Sequence, residues 1–299
     1  MHKKRTLAAL TLFAASVASV FAAPLDARTE VEAALGRITL HAVTDAHTLI
    51  SFNPGSPEKL TNTVALTGLE RDEHILGIDY RVARGVMFAL GSSGRIFTVD
   101  LATGALTPVG TTRFDIPLDG KQFGFDFNPA ADRIRIVADS RQNLRAHPET
   151  GAIVDARPDE PGLQPDGTLA YVEGDINAAR MPKIVAAGYT YNNEDEKLTT
   201  NFAIDIATGA LVRQGSVEGV QPVVSPNTGK LGTVGSLGVA DITDAHLDIS
   251  DVSNTTLAAI STAAGPGYRL YQLDLATGKA TELGRIGNGE ALRGIAIEP

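Results

Sequence analysis

Four times along the chain a short apolar strand runs into a turn of the form Asp-x-Ala-Thr-Gly or a relic of it: IFTVDLATG (Ile96 to Gly104), LRAHPETG (Leu144 to Gly151), FAIDIATG (Phe202 to Gly209) and LYQLDLATG (Leu270 to Gly278). The closing glycines lie 47, 58 and 69 residues apart, so one supersecondary unit recurs with insertions of variable length. Turn chemistry explains the motif. The Asp carboxylate accepts turn amides, Thr adds a hydroxyl, and Gly takes the positive φ that other residues resist. Asp100, Asp205 and Asp274 are therefore read as turn residues.

The fullest copy of the unit is Gln122 to Gly151: a strand over Phe123 to Phe127, an Asn128-Pro129 turn, a strand over Arg133 to Ala138, a polar turn, and a strand over Leu144 to His147. Other copies supply two strands before the turn and an edge strand after it. The inner pairs are HILGIDYR with GVMFALG, GFDFNP with RIRIVAD, TLAYV with KIVAAGYT, and HLDISDV with TLAAIS; the edges are ALTPVG, AIVDA, KLGTVGSL and KATELGRI. Four strands per repeat make a propeller blade. ITLHAVTD and the two strands after it lack an inner strand, whereas LRGIAIEP (Leu292 to Pro299) is an inner strand with nothing after it. Joined, they form one blade and remove the sheet edge that would invite aggregation. The expectation is an all-β fold, a single β-propeller domain over residues 38–299 with five four-stranded blades; six is the alternative if Val154 to Ile184 hides another.

The run GFDFNPAADRIRIVADSRQNLRAHPETG, with the later segments KIVAAGYTYNN, LVRQGS and LGTVGSLG, resembles the bacterial domain-of-unknown-function 4394 family. The resemblance covers roughly Ile38 to Glu298. It implies an exported, propeller-like β domain and brings with it no activity and no catalytic residues.

The first 23 residues have the form of a secretory signal: Lys3, Lys4 and Arg5, an apolar run from Leu7 to Phe21, and small residues around Ala22-Ala23 before Pro24. Residues 24–37 read as a linker. The expected location is periplasmic or extracellular, with no membrane insertion after cleavage. The chain has no cysteine, so it offers neither a thiol for lipid attachment nor a disulfide. Removing the three basic residues of the leader from the 26 leaves 23 against 35 acidic residues, a net charge of −12. Nucleic acid is excluded as a partner on this balance, because a phosphate-tracking groove needs clustered Lys and Arg.

Inner strands of a propeller line its axis, so residues in register there are the first candidates for a site. Aligning GIDY, GFDF, TLAY, HLDI and RGIAI puts Asp79, Asp126, Ala170, Asp248 and Ala296 at one level. Three carboxylates on a ring can hold a hard cation such as calcium or share protons. The structural alternative, preferred, is that each accepts an amide of the next blade and fixes its register. Arg133 and Arg135 alternate with Ile134 and Ile136 as on a half-buried strand; Arg133, Arg141 and Arg145 either form an anion patch or, preferably, pair with Asp132, Asp139 or Glu149.

His41, His47, His74, His147 and His246 lack the close spacing of a zinc site. No G-x-S-x-G elbow and no phosphate loop are present. No catalytic residue is therefore assigned. The leading expectation is a monomeric, exported, non-enzymatic binding or scaffold module that meets a protein or a small polar ligand at a channel mouth. A metal-dependent, lactonase-like hydrolase and a structural envelope protein are the alternatives.

Overall fold

A computed structural model describes residues 35–299. The expected leader and residues 24–34 of the expected linker lie outside the described residues. Twenty strands form five sheets. Blade 1 is β1 (Leu40–Thr44), β2 (Thr48–Phe52) and β3 (Leu60–Ala65), completed on its inner side by the last strand, β20 (Leu292–Ile297). Blade 2 holds β4 (Ile75–Arg81), β5 (Val86–Gly91), β6 (Ile96–Val99) and β7 (Leu106–Val109). Blade 3 holds β8 (Phe123–Asn128), β9 (Arg133–Ala138) and β10 (Asn143–Ala146). Blade 4 runs outward as β12 (Ile184–Tyr189), β13 (Asn201–Asp205), β14 (Ala210–Gln214) and β15 (Lys230–Ser236), and takes β11 (Ala170–Tyr171) on its outer edge. Blade 5 is β16 (Ile242–Ile249), β17 (Thr256–Thr262), β18 (Gly265–Leu273) and β19 (Ala280–Arg285).

The inner strands β20, β4, β8, β12 and β16 contact one another in a closed ring. The fold is thus a five-bladed β-propeller, and the expected closure holds: β20 pairs antiparallel with β1, Leu40 opposite Ile297 and Ala42 opposite Ile295. No helix among the described residues is long and apolar enough to cross a membrane.

The core lies between blades rather than within them. Each of the five interfaces has its own apolar cluster, for instance Phe88, Leu90 and Ile96 of blade 2 against Phe125, Ile134 and Leu144 of blade 3. Each such aliphatic or aromatic side chain contributes about 1.5–3 kcal/mol by burial. The smallest cluster, around Val137, Leu169, Ile184 and Leu231, joins blades 3 and 4.

Three expectations need correction. In blade 4 the Asp-x-Ala-Thr-Gly turn falls between the second and third strands, not the third and fourth, so KIVAAGY is the inner strand and TLAYV is displaced to the outer edge, where it pairs parallel with β15. Ala170 therefore does not belong to the inner ring. The segment Val154 to Ile184 supplies only this edge strand and no sixth blade. In blade 3 the expected fourth strand AIVDA is reduced to a single bridge between Ile153 and Ala146.

The recurring turns are built as the motif implies. Asp100 accepts the amides of Ala102 and Thr103, Asp274 accepts the Ala276 amide and the Thr277 hydroxyl, and Gly104, Gly151, Gly209 and Gly278 all have positive φ. Asp205 goes further: fully buried, it also accepts from the Tyr171 hydroxyl and the Lys183 amide, pinning the outer strand to the turn.

Candidate functional site

Five strands can crowd one axis only where side chains give way. A Cβ on Gly77 would lie 2.5 Å from Phe125 Cβ, and one on Gly124 would lie 2.6 Å from the Ala186 backbone. At this level the expected central channel is closed: Gly77, Gly124, Ala186, His246 and Gly294 surround a cavity of ≈ 10 Å³, about enough for one water.

Two residues further along each strand come the ring positions. The structure brings Asp79, Asp126 and Asp248 together, each offering a carboxylate oxygen within 4.8 Å of those of the other two. All three are buried. The Phe127 amide donates to Asp79 Oδ2 at 2.7 Å, the Tyr189 amide to Asp126 Oδ2 at 2.8 Å, and the Ile297 amide to Asp248 Oδ2. Each bond crosses to the next blade and lands one residue past that blade's ring position. The ring residues of blades 4 and 1 are therefore Gly188 and Ala296. A Cβ at Gly188 would lie 2.9 Å from Ile249 Cγ1, which leaves no room for a fourth Asp, and the Ile249 amide donates instead to Asp248 Oδ1 at 2.6 Å.

The trio is thus a set of inter-blade latches, and its electrostatics are unbalanced. Among the described residues none of the three pairs with a Lys, Arg or His. Burial, then the charges of Asp248 and Asp251, push Asp79 well above the usual carboxylate range; burial and Asp79 do the same to Asp126. Burial carries Asp248 to about 6 despite its two amides. Chemically, such a cluster retains protons near neutrality or takes a cation. For a hard cation the donor set fits poorly. Calcium takes six to eight oxygens, and amides already occupy both oxygens of Asp248 and one each on Asp79 and Asp126.

Above the trio, where the inner strands end, a pocket of ≈ 290 Å³ opens at one mouth. Tyr80 and Phe127, the residues after Asp79 and Asp126, form part of its wall with Pro129 and Tyr191; Glu196 and Asp251 add carboxylates. Asp251 sits in the turn after β16, and burial, reinforced by Asp248, pushes it up to about 7. Arg81 also lines the pocket but is committed, its Nε donating to Asp132 Oδ1 at 2.8 Å and its Nη1 lying 2.7 Å from Glu149 Oε1. The Tyr80 hydroxyl is buried and has no hydrogen-bond partner. Sequence reasoning missed this pocket and Asp251. The available signal was the aromatic residue directly after the ring Asp in GIDY and GFDF, together with a second Asp three residues past the ring in HLDISD.

The arginines behave differently from expectation. Both faces of β9 are covered, so Arg135, 1% exposed, is as buried as Ile134 and Ile136. Its Nη1 donates to Asp166 Oδ2 and to Asn143 Oδ1, both at 2.7 Å, its Nη2 to Asn227 Oδ1 at 2.6 Å and its Nε to Tyr189 Oη at 3.2 Å. Arg145 grips the same Asp166 with two bonds of 2.8 Å. Asp132 and Glu149, expected partners of Arg133, Arg141 and Arg145, are taken by Arg81, and Asp139 accepts the Lys121 and Gln122 amides. Arg133 donates to the backbone oxygen of Asp132 at 2.8 Å, and Arg141 occupies a turn with φ of 77°. Arg133 and Arg145 line one pocket of ≈ 170 Å³ together with Arg135, and Arg141 is not part of its lining, so two of the three expected arginines come together and the third does not. Of the histidines, His41 and His246 are buried core residues, bonded to Ser51 Oγ and the Leu292 carbonyl.

Comparison with known proteins adds a family. No curated protein matches the chain. A chain of the nidogen–laminin complex crystal structure is similar over 88% of this chain and 98% of its own, at 13% identity and a TM-score of 0.45. TolB from Acinetobacter baumannii is similar over 88% of this chain and 67% of its own, at 12% identity and a TM-score of 0.42. Likeness at that level says nothing of function. The family of the domain of unknown function DUF4394 matches residues 48–296, nearly the whole described propeller, and the chain belongs to it.

Proposed function

We propose that the protein is an exported, non-enzymatic binding module whose ligand is a small molecule seated in the mouth pocket above the Asp79, Asp126 and Asp248 latches. The observation that carries the reading is the pocket itself: a concavity of ≈ 290 Å³ with aromatic walls and a few polar groups at the end of the propeller axis. Ligand sites have this form, largely apolar with a small number of placed polar groups. The latches beneath tie three inner strands to their neighbours, so the walls formed by the next residues, Tyr80 and Phe127, are held in place before any ligand arrives. Such preorganisation lowers the ordering cost of binding. Export rests on the basic, apolar and small-residue pattern of residues 1–23.

The test is a thermal-shift screen of the mature chain against small polar and amphipathic compounds, repeated on Ala83→Trp. Ala83 is exposed and lines the pocket, so an indole there fills the space without disturbing the core. Compounds that stabilise the parent and lose their effect in Ala83→Trp support the reading. Shifts that survive the plug place the ligand elsewhere and sink it. Turnover of a lactone or ester substrate that disappears in Asp126→Asn would replace it with the hydrolase alternative.

A further inference from the structure

The mouth pocket is asymmetric in charge. Its lining contains one basic side chain, Arg81, against Asp132, Glu196 and Asp251, and Arg81 is already held by Asp132 and Glu149. Nothing positive is left to meet an anion, and behind Asp251 lie the three buried carboxylates, close enough for its charge to act on Asp79 and Asp126. Tyr80, Phe127 and Tyr191 contribute to the walls, Tyr80 and Phe127 as largely buried side chains and Tyr191 as the more open ring. Aromatic faces carry negative quadrupole charge and attract cations, more strongly where water is excluded. The Tyr80 hydroxyl, buried in the cluster between blades 1 and 2, is not one of the groups that a ligand in the pocket would meet. Metal ions answer the charge but not the aromatic wall or the volume; neutral apolar molecules answer the wall but not the carboxylates.

Resting on the reading of this pocket as a ligand site, we propose that its ligand is a small primary amine in its ammonium form on an apolar or aromatic body, with Asp251 as its counter-charge. Phe127, Pro129 and Tyr191 enclose the body. Asp251 is the residue that selects for charge, because of the two lining carboxylates without an ion pair among the described residues it is the half-buried one, Glu196 being exposed; its ionised form is the one a bound cation favours.

Three probes of matched shape separate the possibilities by calorimetry on the mature chain: 2-phenylethylamine as the cation, 2-phenylethanol as its neutral counterpart and phenylacetate as the anion. The amine is expected to bind at least about tenfold more tightly than the alcohol, about 1.4 kcal/mol, with phenylacetate weakest. Asp251→Asn is expected to erase the preference for the amine while leaving the alcohol's affinity unchanged, and Ala83→Trp to abolish binding of all three. If the alcohol or phenylacetate binds as tightly as the amine and Ala83→Trp still blocks it, the charge assignment is wrong while the pocket remains the ligand site. Binding of the amine that ignores both variants, or no binding of the amine at millimolar concentration, overturns the inference; the compound screen on the parent and plugged chains then decides separately whether the pocket binds anything.

Discussion

Two buried polar clusters sit in this propeller, and they solve the problem of charge in opposite ways. Between blades 3 and 4, Arg135 and Arg145 close on Asp166, with Asn143, Asn227 and Tyr189 taking three of the other four donors of Arg135. On the axis, Asp79, Asp126 and Asp248 face one another with only backbone amides for company. The first cluster contains its own counter-charges; the second does not. Burying charge is tolerable only when it is paired and hydrogen-bonded, and an unpaired group neutralises instead by shifting its pKa. The knot is therefore expected to glue an interface whose apolar cluster is the smallest of the five. The axial trio is expected to hold protons.

The largest effect follows from breaking the cluster that has a counter-charge. Asp166→Ala leaves Arg135 buried with no acidic partner, a kind of loss that costs about 3–5 kcal/mol, a large share of the 5–15 kcal/mol that holds a typical domain. Urea unfolding should show a midpoint far below the parent's. A variant with Arg135, Arg145 and Asp166 all replaced by apolar residues should recover much of the loss, because the cost lies in the unpaired charge. Equal stability of Asp166→Ala and the parent would mean that Arg135 does not depend on Asp166 for its burial and that the contrast between the two clusters is wrong.

Next comes a difference of sign within the trio. Asp248 accepts amides on both oxygens, from Ile249 and Ile297. In Asp248→Asn the side-chain NH₂ must face one of those donors, at a cost of about 1–3 kcal/mol. Asp79 and Asp126 each accept an inter-blade amide on one oxygen alone. Asp126→Asn can keep that bond through its carbonyl and point its NH₂ toward the neighbouring carboxylates, exchanging repulsion for attraction. At pH 8 Asp248→Asn should melt below the parent and Asp126→Asn at or above it. Two variants melting alike would show that the latch geometry does not distinguish the three positions.

How much of this was legible beforehand depends on the range of the interaction. The blade pattern was readable because period-2 apolar runs and the Asp-x-Ala-Thr-Gly turn are local, and closure was readable because Leu292 to Pro299 lacked a hairpin partner of its own. The alignment of GIDY, GFDF and HLDI located the trio. Blade 4 was misread because the same turn sits one strand earlier there, which sent Ala170 to the ring in place of Gly188. Asp166 gave no sign of its role: it lies in an irregular stretch, and its partners Arg135 and Arg145 are 31 and 21 residues away. The pocket left only fragments of a signal for the same reason, since Tyr80, Phe127, Tyr191 and Asp251 come from four different blades and meet only at the mouth.

The pH dependence sharpens the contrast further. For the trio and Asp251 the folded pKa is raised, to about 6 for Asp248 and about 7 for Asp251, above an unfolded value near 4. Between those limits the folded state binds more protons than the unfolded one, so stability from this cluster falls as pH rises from about 4 to about 7. His41, His74 and His147, lowered first of all by burial, act in the opposite direction over part of that window, so the parent's curve alone is ambiguous. The difference between parent and Asp126→Asn is not: the histidines cancel, and the variant should gain relative stability as pH rises above the ordinary carboxylate range, because the raised Asp126 carboxyl is then deprotonated in the unfolded parent first. A flat difference curve would mean that Asp126 ionises normally and that the axial cluster is no less balanced than the knot.

The smallest expected effect is that of calcium, and it tests the same point from the other side. Were the trio a cation site, calcium would bind the folded state alone and stabilise it by RT ln(1 + [L]/Kd), about 2.7 kcal/mol at a hundred times Kd, and the pH dependence would vanish in its presence because the cation replaces the protons. Four of the six carboxylate oxygens already accept amides, and the neighbouring ring positions, Gly188 and Ala296, offer no side-chain oxygen. The melting temperature is therefore expected to respond to calcium no more than to sodium at equal ionic strength. A calcium-specific rise that Asp79→Asn with Asp126→Asn removes would show that the axis is balanced after all, by a metal ion in place of arginine, and would make the two clusters variants of one solution.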